Sequence, residues 1–250
     1  MTGRGRVDVL GVGVDPVDRQ GMLDAVGALA AAKGRATVAY ANVHVVNSAQ
    51  TDPALRDFLR EADLCYCDGV GVRLGARILG SRLPERMTGA DWIWDFAQRA
   101  EGRWRVFWLG GKPGVAEAAA ARLVARHPRL EVATEHGFHD DAASVIARIN
   151  AFRPDIVLVG MGTPAQERFV AAHRAAIDAP VVWVLGATAD FLSGRVSRGP
   201  AWLHQRQEWL ARLLVDPRRL WRRYLVGNAV FLARVAARRA GPHIRSTSPL

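Results

Sequence analysis

Short runs of β-branched and aromatic residues alternate along this chain with longer stretches in which apolar side chains return every three or four positions. The runs are VDVLGVGV from Val7, ATVAYANV from Ala36, ADLCYCDG from Ala62, WRVFWLGG from Trp104, LEVATEHG from Leu130, DIVLVGMG from Asp155 and APVVWVLGA from Ala179. Each reads as a strand, because its residues suit a pleated surface buried on both sides. Between them, Asp52–Ala62, Ala90–Ala100, Val115–Ala125, Ala142–Phe152 and Ala165–Ile177 read as helices, and Val70–Leu79 forms a further helical stretch. Strands alternating with helices predict an α/β fold: a Rossmann-like, mostly parallel sheet with helices on both faces. The alternation stops near Gly199–Pro200, and the remainder of the chain is helical with one punctuation at Asp216–Pro217. The expected organisation is an α/β domain over 1–200 and a basic amphipathic helical appendage over 201–250.

Several runs end in glycine or a small polar residue, at Asp68–Gly69, Gly110–Gly111, Gly160–Gly162 and Gly186. Ligands of open α/β sheets gather beyond the carboxyl ends of the strands, so candidate chemistry is sought there. Gly110, Gly111 and Lys112 make a strand-to-helix turn whose backbone N–H groups can approach a phosphate, with the lysine adding a full positive charge. The plain alternative is a tight βα turn. Asp68 follows a buried-looking strand and is placed either as a general base or as a cap for the helix after it. In Val159–Gln166 the pattern Thr163-x-x-Gln166 reads equally as a capping box or as the start of a binding helix, with Gln166 and Glu167 in its first turn. Arg86 stands in a loop after Pro84, where an arginine is either solvated or bound bidentately to phosphate oxygens.

Charge changes the picture at one end. The formal net charge is +10, and residues 201–250 hold ten arginines, no lysine and only two acids, Glu208 and Asp216. Trp202, Trp209, Trp221, Tyr224, Leu225, Phe231 and Leu232 interleave with those arginines, a composition suited to a surface that is acidic and oily at once. Arg212, Arg218, Arg219, Arg222 and Arg223 are the candidates for contact with a membrane or a lipid diphosphate. A helix packed on its own domain is the alternative. No apolar run approaches the ~18 residues that span a bilayer and no cleavage-site pattern follows the N-terminus, which predicts a cytoplasmic protein peripheral to the inner membrane face. Cys65 and Cys67 stand on one face of a strand and read as packed free thiols. One loop, His136 to Asp141, is too little for a coordination sphere, so no metal is expected.

In order along the chain, ANVHVVNSAQ, ADLCYCDGVG, LPERMTGADW, FWLGGKPGV, VGMGTPAQE, LGATADFLSGRVSRGPAWL and QEWLARLLVDPRRLWRRYL resemble the WecG/TagA/CpsF glycosyltransferase family. The resemblance implies an inverting, metal-independent enzyme without cofactor. It would move a sugar, N-acetylmannosamine, its uronic acid or a related hexose, from a UDP-sugar to a polyprenyl-diphosphate-linked sugar in cell-surface polysaccharide or teichoic-acid-type biosynthesis. It further implies Asp68 as the base, Arg86 on the departing diphosphate and Gln166 with Glu167 at the sugar-nucleotide site. Tyr40 and Asn42 fall at substrate positions, Tyr40 where the family often has threonine. Appendage arginines become candidates for completing the site over the lipid diphosphate.

Other classes of protein fit the chain less well. A nucleic-acid binder would concentrate its charge on a defined reading element, and this chain places it in an aromatic-laced appendage. An NAD-dependent Rossmann oxidoreductase fits the glycine turn, with Glu131 or Glu135 where a ribose ligand would lie, but lacks a catalytic Tyr-Lys or His-Arg arrangement. A non-catalytic membrane-surface scaffold would keep the tail and dispense with Asp68. Homo-oligomerisation is left open by the sequence.

Overall fold

The computed structural model describes residues 5–195, 213 and 217–240. Six strands form one all-parallel sheet: β3 (Ala36–Ala41), β4 (Leu64–Cys67), β5 (Arg105–Gly110), β6 (Glu131–Glu135), β7 (Ile156–Gly160) and β8 (Val181–Val184), in the spatial order β4-β3-β8-β7-β5-β6. Every residue of β4, β7 and β8 is buried, as near-continuous apolar strands covered on both faces require. The edge strand β6 has no buried residue and carries Glu131 and Glu135 at its two ends.

The first run departs from the expected strand. Val7–Val14 folds instead as a two-stranded antiparallel hairpin, β1 (Val7–Val9) and β2 (Val12–Val14), outside the main sheet. Leu10 and Gly11 both take positive φ, 57° and 84°, the backbone of a tight two-residue hairpin turn. The hairpin then covers the exposed edge of β4. Asp15 donates its backbone N–H to Cys65 O at 2.7 Å and accepts the Cys65 N–H on its carboxylate, also at 2.7 Å, while Arg6 pairs with the same carboxylate.

Helices α1 (Arg19–Ala31), α2 (Val43–Ala49), α3 (Pro53–Glu61), α4 (Val70–Ile78), α5 (Gly89–Ala100), α6 (Val115–Arg126), α7 (Ala142–Phe152), α8 (Ala165–His173) and α9 (Thr188–Leu192) surround the sheet. The expected helix from Ala165 to Ile177 stops at His173. There the Arg174 guanidinium donates to the carbonyls of Ile177 at 3.0 Å and Ala179 at 2.8 Å, turning the chain back into β8. Trp92 of α5 stacks on Trp183 of β8 with centroids 4.2 Å apart, and Tyr66 and Phe96 meet that pair edge-on. This aromatic block binds β4, α5 and β8 into one core. Cys65 and Cys67 are free and buried, and burial pushes the Cys65 thiol up to about 12.

The C-terminal segment is one long helix: α10 (Pro217–Trp221), a π turn over Arg222–Val226, and α11 (Gly227–Ala240). It packs on the α/β body. Phe231 and Val235 are fully buried, and Phe231 lies against Gly75 of α4, where an added Cβ would come within 2.6 Å of the ring. Asn47 of α2 donates to Gly227 O at 2.8 Å and accepts from Arg234 at 2.8 Å. The apolar residues expected on one amphipathic face are therefore divided. Leu220, Phe231 and Val235 face the protein, whereas Trp221, Leu225 and Leu232 remain exposed. Among the described residues no helix is long and apolar enough to cross a membrane.

Candidate active site

Two neighbouring strand ends place the candidate base. β3 ends at Ala41 and Asn42 caps α2, its Oδ1 accepting the Val45 N–H at 3.0 Å. One strand over, β4 ends at Cys67, and the Asp68 backbone N–H donates to Ala41 O at 2.9 Å. This register sets the two side chains together: Asn42 Nδ2 donates to Asp68 Oδ2 at 3.0 Å. The reading of Asp68 as a helix cap does not hold. Gly69, at φ 99°, occupies the cap position of α4 and no side chain bonds there. The Asp68 carboxylate is thus held by a neighbouring amide and kept out of the helix terminus.

Arg86 reaches the same place by a loop. Met87, 1% exposed, donates its N–H to Cys67 O at 3.1 Å and so folds the loop over the end of β4. Arg86 itself is paired at 3.0 Å with Asp91, which also accepts from Thr88 Oγ1 at 2.6 Å. Asn42, Asp68, Arg86 and Thr88 line a cleft of roughly 640 Å³, whose opposite lining comes from the C-terminal helix through Arg223, Tyr224, Leu225, Asn228, Phe231 and Leu232. The Nε of Arg223 is buried and has no hydrogen-bond partner among the described residues. An unpaired guanidinium nitrogen in a closed-off position is a donor held ready for an anion.

Sequence reasoning missed His44, which lines this cleft two residues after Asn42. Burial, reinforced by the positive charge of Arg223, drives its imidazole down to about 4, against the opposing influence of the Thr163 backbone. Nothing in the sequence separates it from a surface histidine except its place in the first turn after a strand end.

Tyr40, Gln166 and Glu167 form a second, buried assembly beneath the cleft. Gln166 is 0% and Glu167 2% exposed. Gln166 accepts the Gly186 N–H at 3.1 Å and donates to Glu167 Oε1 at 2.8 Å, and Thr163 Oγ1 donates to the same carboxylate oxygen at 2.8 Å. Tyr40 Oη lies 3.3 Å from both Thr163 Oγ1 and Gln166 Nε2. The capping-box reading of Thr163 is replaced by this network, since Pro164 takes the cap position of α8 without a side-chain bond. Burial raises the Glu167 carboxyl and, together with the nearby Glu167 charge, the Tyr40 hydroxyl. Glu167 Oε2 is buried with no partner, an acceptor left unsatisfied among the described residues.

Gly110, Gly111 and Lys112 are not brought to the Asp68 cleft. They lie at and just after the end of β5, which lies beyond β8 and β7 from β3, and the connections leaving the neighbouring strands β5 and β7 run in opposite directions, so their ends flank a topological switch point. Gly110, at φ 145°, lies so close to β7 that a Cβ would meet Gly160 O at 2.3 Å. The loop after β6 folds back on the end of β5, with Gly137 N donating to Gly111 O at 2.9 Å, and carries Phe138 at 65% exposure. Glu135, a candidate ribose ligand of the oxidoreductase reading, is occupied by Arg148 at 2.7 Å, and Glu131 by Arg105 at 3.1 Å. His136, His139, Asp140 and Asp141 do not assemble into a metal-binding group, and none occurs among the described residues.

Of the appendage arginines, only Arg223 lines the cleft among the described residues. Arg218 and Arg222 are exposed, with Arg222 over the Trp221 ring at 5.3 Å. Arg219 belongs to α10, its side chain outside the described residues, as is Arg212 altogether.

Comparison with known proteins identifies the family. The chain is 29% identical over 236 residues, 92% of each sequence, to an N-acetylglucosaminyldiphosphoundecaprenol N-acetyl-beta-D-mannosaminyltransferase of Staphylococcus aureus strain NCTC 8325 / PS 47, and equally similar to the proteins of that name from strains COL and MW2. The model of the glycosyl transferase WecG/TagA/CpsF family matches residues 7–245, covering both strand ends, the Arg86 loop and the helix that closes the cleft, and the chain belongs to that family of glycosyltransferases.

Proposed function

We propose that this glycosyltransferase moves an N-acetylmannosamine-class hexose from a UDP-sugar to the terminal sugar of a polyprenyl-diphosphate-linked acceptor, with inversion at the anomeric carbon. The observation that carries this reading is the cleft that holds the Asp68 carboxylate, fixed by Asn42, together with Arg86 and Arg223. The acceptor hydroxyl gives its proton to Asp68 as its oxygen attacks the anomeric carbon, and the bond to the UDP oxygen breaks on the opposite face of the sugar. Charge accumulating on the departing diphosphate is met by the arginines, in a cleft partly closed from water. Cation chemistry of this kind needs no metal ion. The nucleotide half is assigned to the switch point at the ends of β5 and β7, where Gly110, Gly111 and Lys112 would face the phosphates and Phe138 would supply an exposed ring for the base. Buried Gln166 and Glu167 lie at the strand ends between the two, with Glu167 Oε2 awaiting a donor such as a sugar hydroxyl.

This reading puts the protein at the cytoplasmic face of the membrane, where such acceptors are anchored, with the exposed apolar residues of the C-terminal helix in the interface. The test is incubation of the purified protein with a panel of UDP-sugars and a short-chain prenyl-diphosphate N-acetylglucosamine, read by product mass. An added N-acetylhexosamine is the expected product. Hydrolysis of the donor without transfer, or turnover of none of the panel, overturns the proposal.

A further inference from the structure

Beside the Asp68 cleft lies a second cavity of roughly 610 Å³, lined by Val70, Arg73, Leu74, Arg77, Arg82, Leu83 and Pro84. No acid contributes to its lining, and Val70 and Leu74 belong to both cavities. α4 explains the composition. Val72, Gly75 and Ala76 face inward, Gly75 against Phe231, whereas Val70, Arg73, Leu74 and Arg77 recur at the spacing of one outward helical stripe. That outward stripe is apolar and cationic where a solvated helix would mix charges of both signs. Leu74 is 48% exposed. Arg73 is tethered to Leu83 O at 3.3 Å, but no carboxylate pairs with Arg77 or Arg82 among the described residues. Leu225 and Leu232, both exposed, line the adjoining cleft that shares Val70 and Leu74 with this groove.

We propose that this α4 groove is a binding site for the phosphate headgroups of anionic phospholipid, so that the catalytic domain itself, and not only the C-terminal helix, rests on the membrane. Arg77 and Arg82 receive headgroup phosphates while Val70 and Leu74 enter the acyl boundary beside the mouth of the cleft, an arrangement of alternating cationic and apolar groups suited to that interface. The acceptor then reaches Asp68 from the bilayer without leaving it. The proposal rests on the membrane-linked acceptor of the transferase reading, and the experiment separates the two.

Binding of wild type and of Arg77→Ala/Arg82→Ala to vesicles of phosphatidylglycerol, and of phosphatidylcholine, is measured by co-sedimentation, alongside transfer to a short-chain water-soluble acceptor and thermal unfolding. The expected result is a loss of phosphatidylglycerol affinity on the order of 30-fold for the double variant, from two cationic contacts with the surface. Unfolding temperature and turnover of the soluble acceptor stay unchanged, and wild type ignores phosphatidylcholine at moderate salt. Unaltered vesicle binding by the variant overturns the proposal. A parallel fall in soluble turnover also overturns it, by assigning the arginines to the acceptor diphosphate, as does a change in sedimenting mass with vesicle binding intact, which would make the groove an interface between copies. Failure of the transferase reading would appear separately, as absence of soluble turnover in the wild type.

Discussion

Asn42 divides its side chain between two tasks: Oδ1 accepts the Val45 N–H and caps α2, and Nδ2 donates to Asp68 Oδ2. Because the first bond fixes the amide orientation, the second always presents a donor to the carboxylate. The helix cap is thus also the support of the Asp68 carboxylate.

Substitution of Asn42 separates these tasks. Asn42→Asp keeps the cap, which aspartate serves as well as asparagine, but sets a second carboxylate beside Asp68. Its stability should stay within about 1 kcal/mol of wild type. Its pH–rate profile should shift, the acid limb moving upward as Asp68 becomes harder to ionise. An unshifted limb with reduced turnover would show that Asn42 contacts substrate and does not tune the base.

Asp68→Asn should abolish transfer, by about a thousandfold or more, while UDP binding and unfolding temperature persist. Single-turnover kinetics beside calorimetric titration with UDP provides the measurement. Retained turnover would remove Asp68 as the base.

His44 predicts a pH dependence of stability. Its folded pKa, about 4, lies below the ordinary value of 6.5, so the unfolded chain takes up the proton first as pH falls. The contribution of neutral His44 is full above pH 6.5 and is lost between pH 6.5 and 4, on the order of 3 kcal/mol at the limit. Urea unfolding across that window should show a shallower slope for His44→Gln than for wild type, and equal slopes would refute the assignment.

Gly75→Val should undock the C-terminal helix, because the new side chain needs the space of the Phe231 ring. Loss of the buried phenyl contact should cost roughly 3 kcal/mol or more, and limited proteolysis should then cut within 217–240 of the variant but not of the wild type. Soluble-acceptor turnover should fall with it, since Arg223 leaves the cleft.

Chelation should leave transfer unchanged, given that Arg86 and Arg223 supply the positive charge in the cleft. Activity lost to EDTA and restored by a divalent ion would refute metal-independent transfer.

How far the sequence reveals the fold depends on whether a feature is local. Strand runs and glycine turns place Asp68, Asn42 and the β5 turn at the carboxyl rim, since each is marked by its own neighbours in the chain. Val7–Val14 misleads because two valine-rich strands joined by Leu10–Gly11 have the composition of one strand. The buried network of Tyr40 with Gln166 and Glu167 joins residues more than a hundred positions apart, and periodicity carries no sign of it. The same holds for the C-terminal helix: its pattern announces an amphipathic segment, but not that Phe231 is received by the bare flank of Gly75. His44 acquires its surroundings only when the distant C-terminal helix is set beside α2, whereas the α4 groove is local, drawn from residues 70–84, and shows only once the fold separates the inward from the outward side of that helix.

The helix bearing Arg223 follows Asp68 by more than a hundred and fifty residues, yet each supplies lining to one cleft. A ribosome producing this chain releases the β4 strand end long before that helix has left the exit tunnel. The nascent protein therefore displays Asp68 in a trough open on one side, and the lining of the cleft is complete only once the distal helix has docked across Asn47. Synthesis itself thus imposes a delay between making Asp68 and closing the cleft around it.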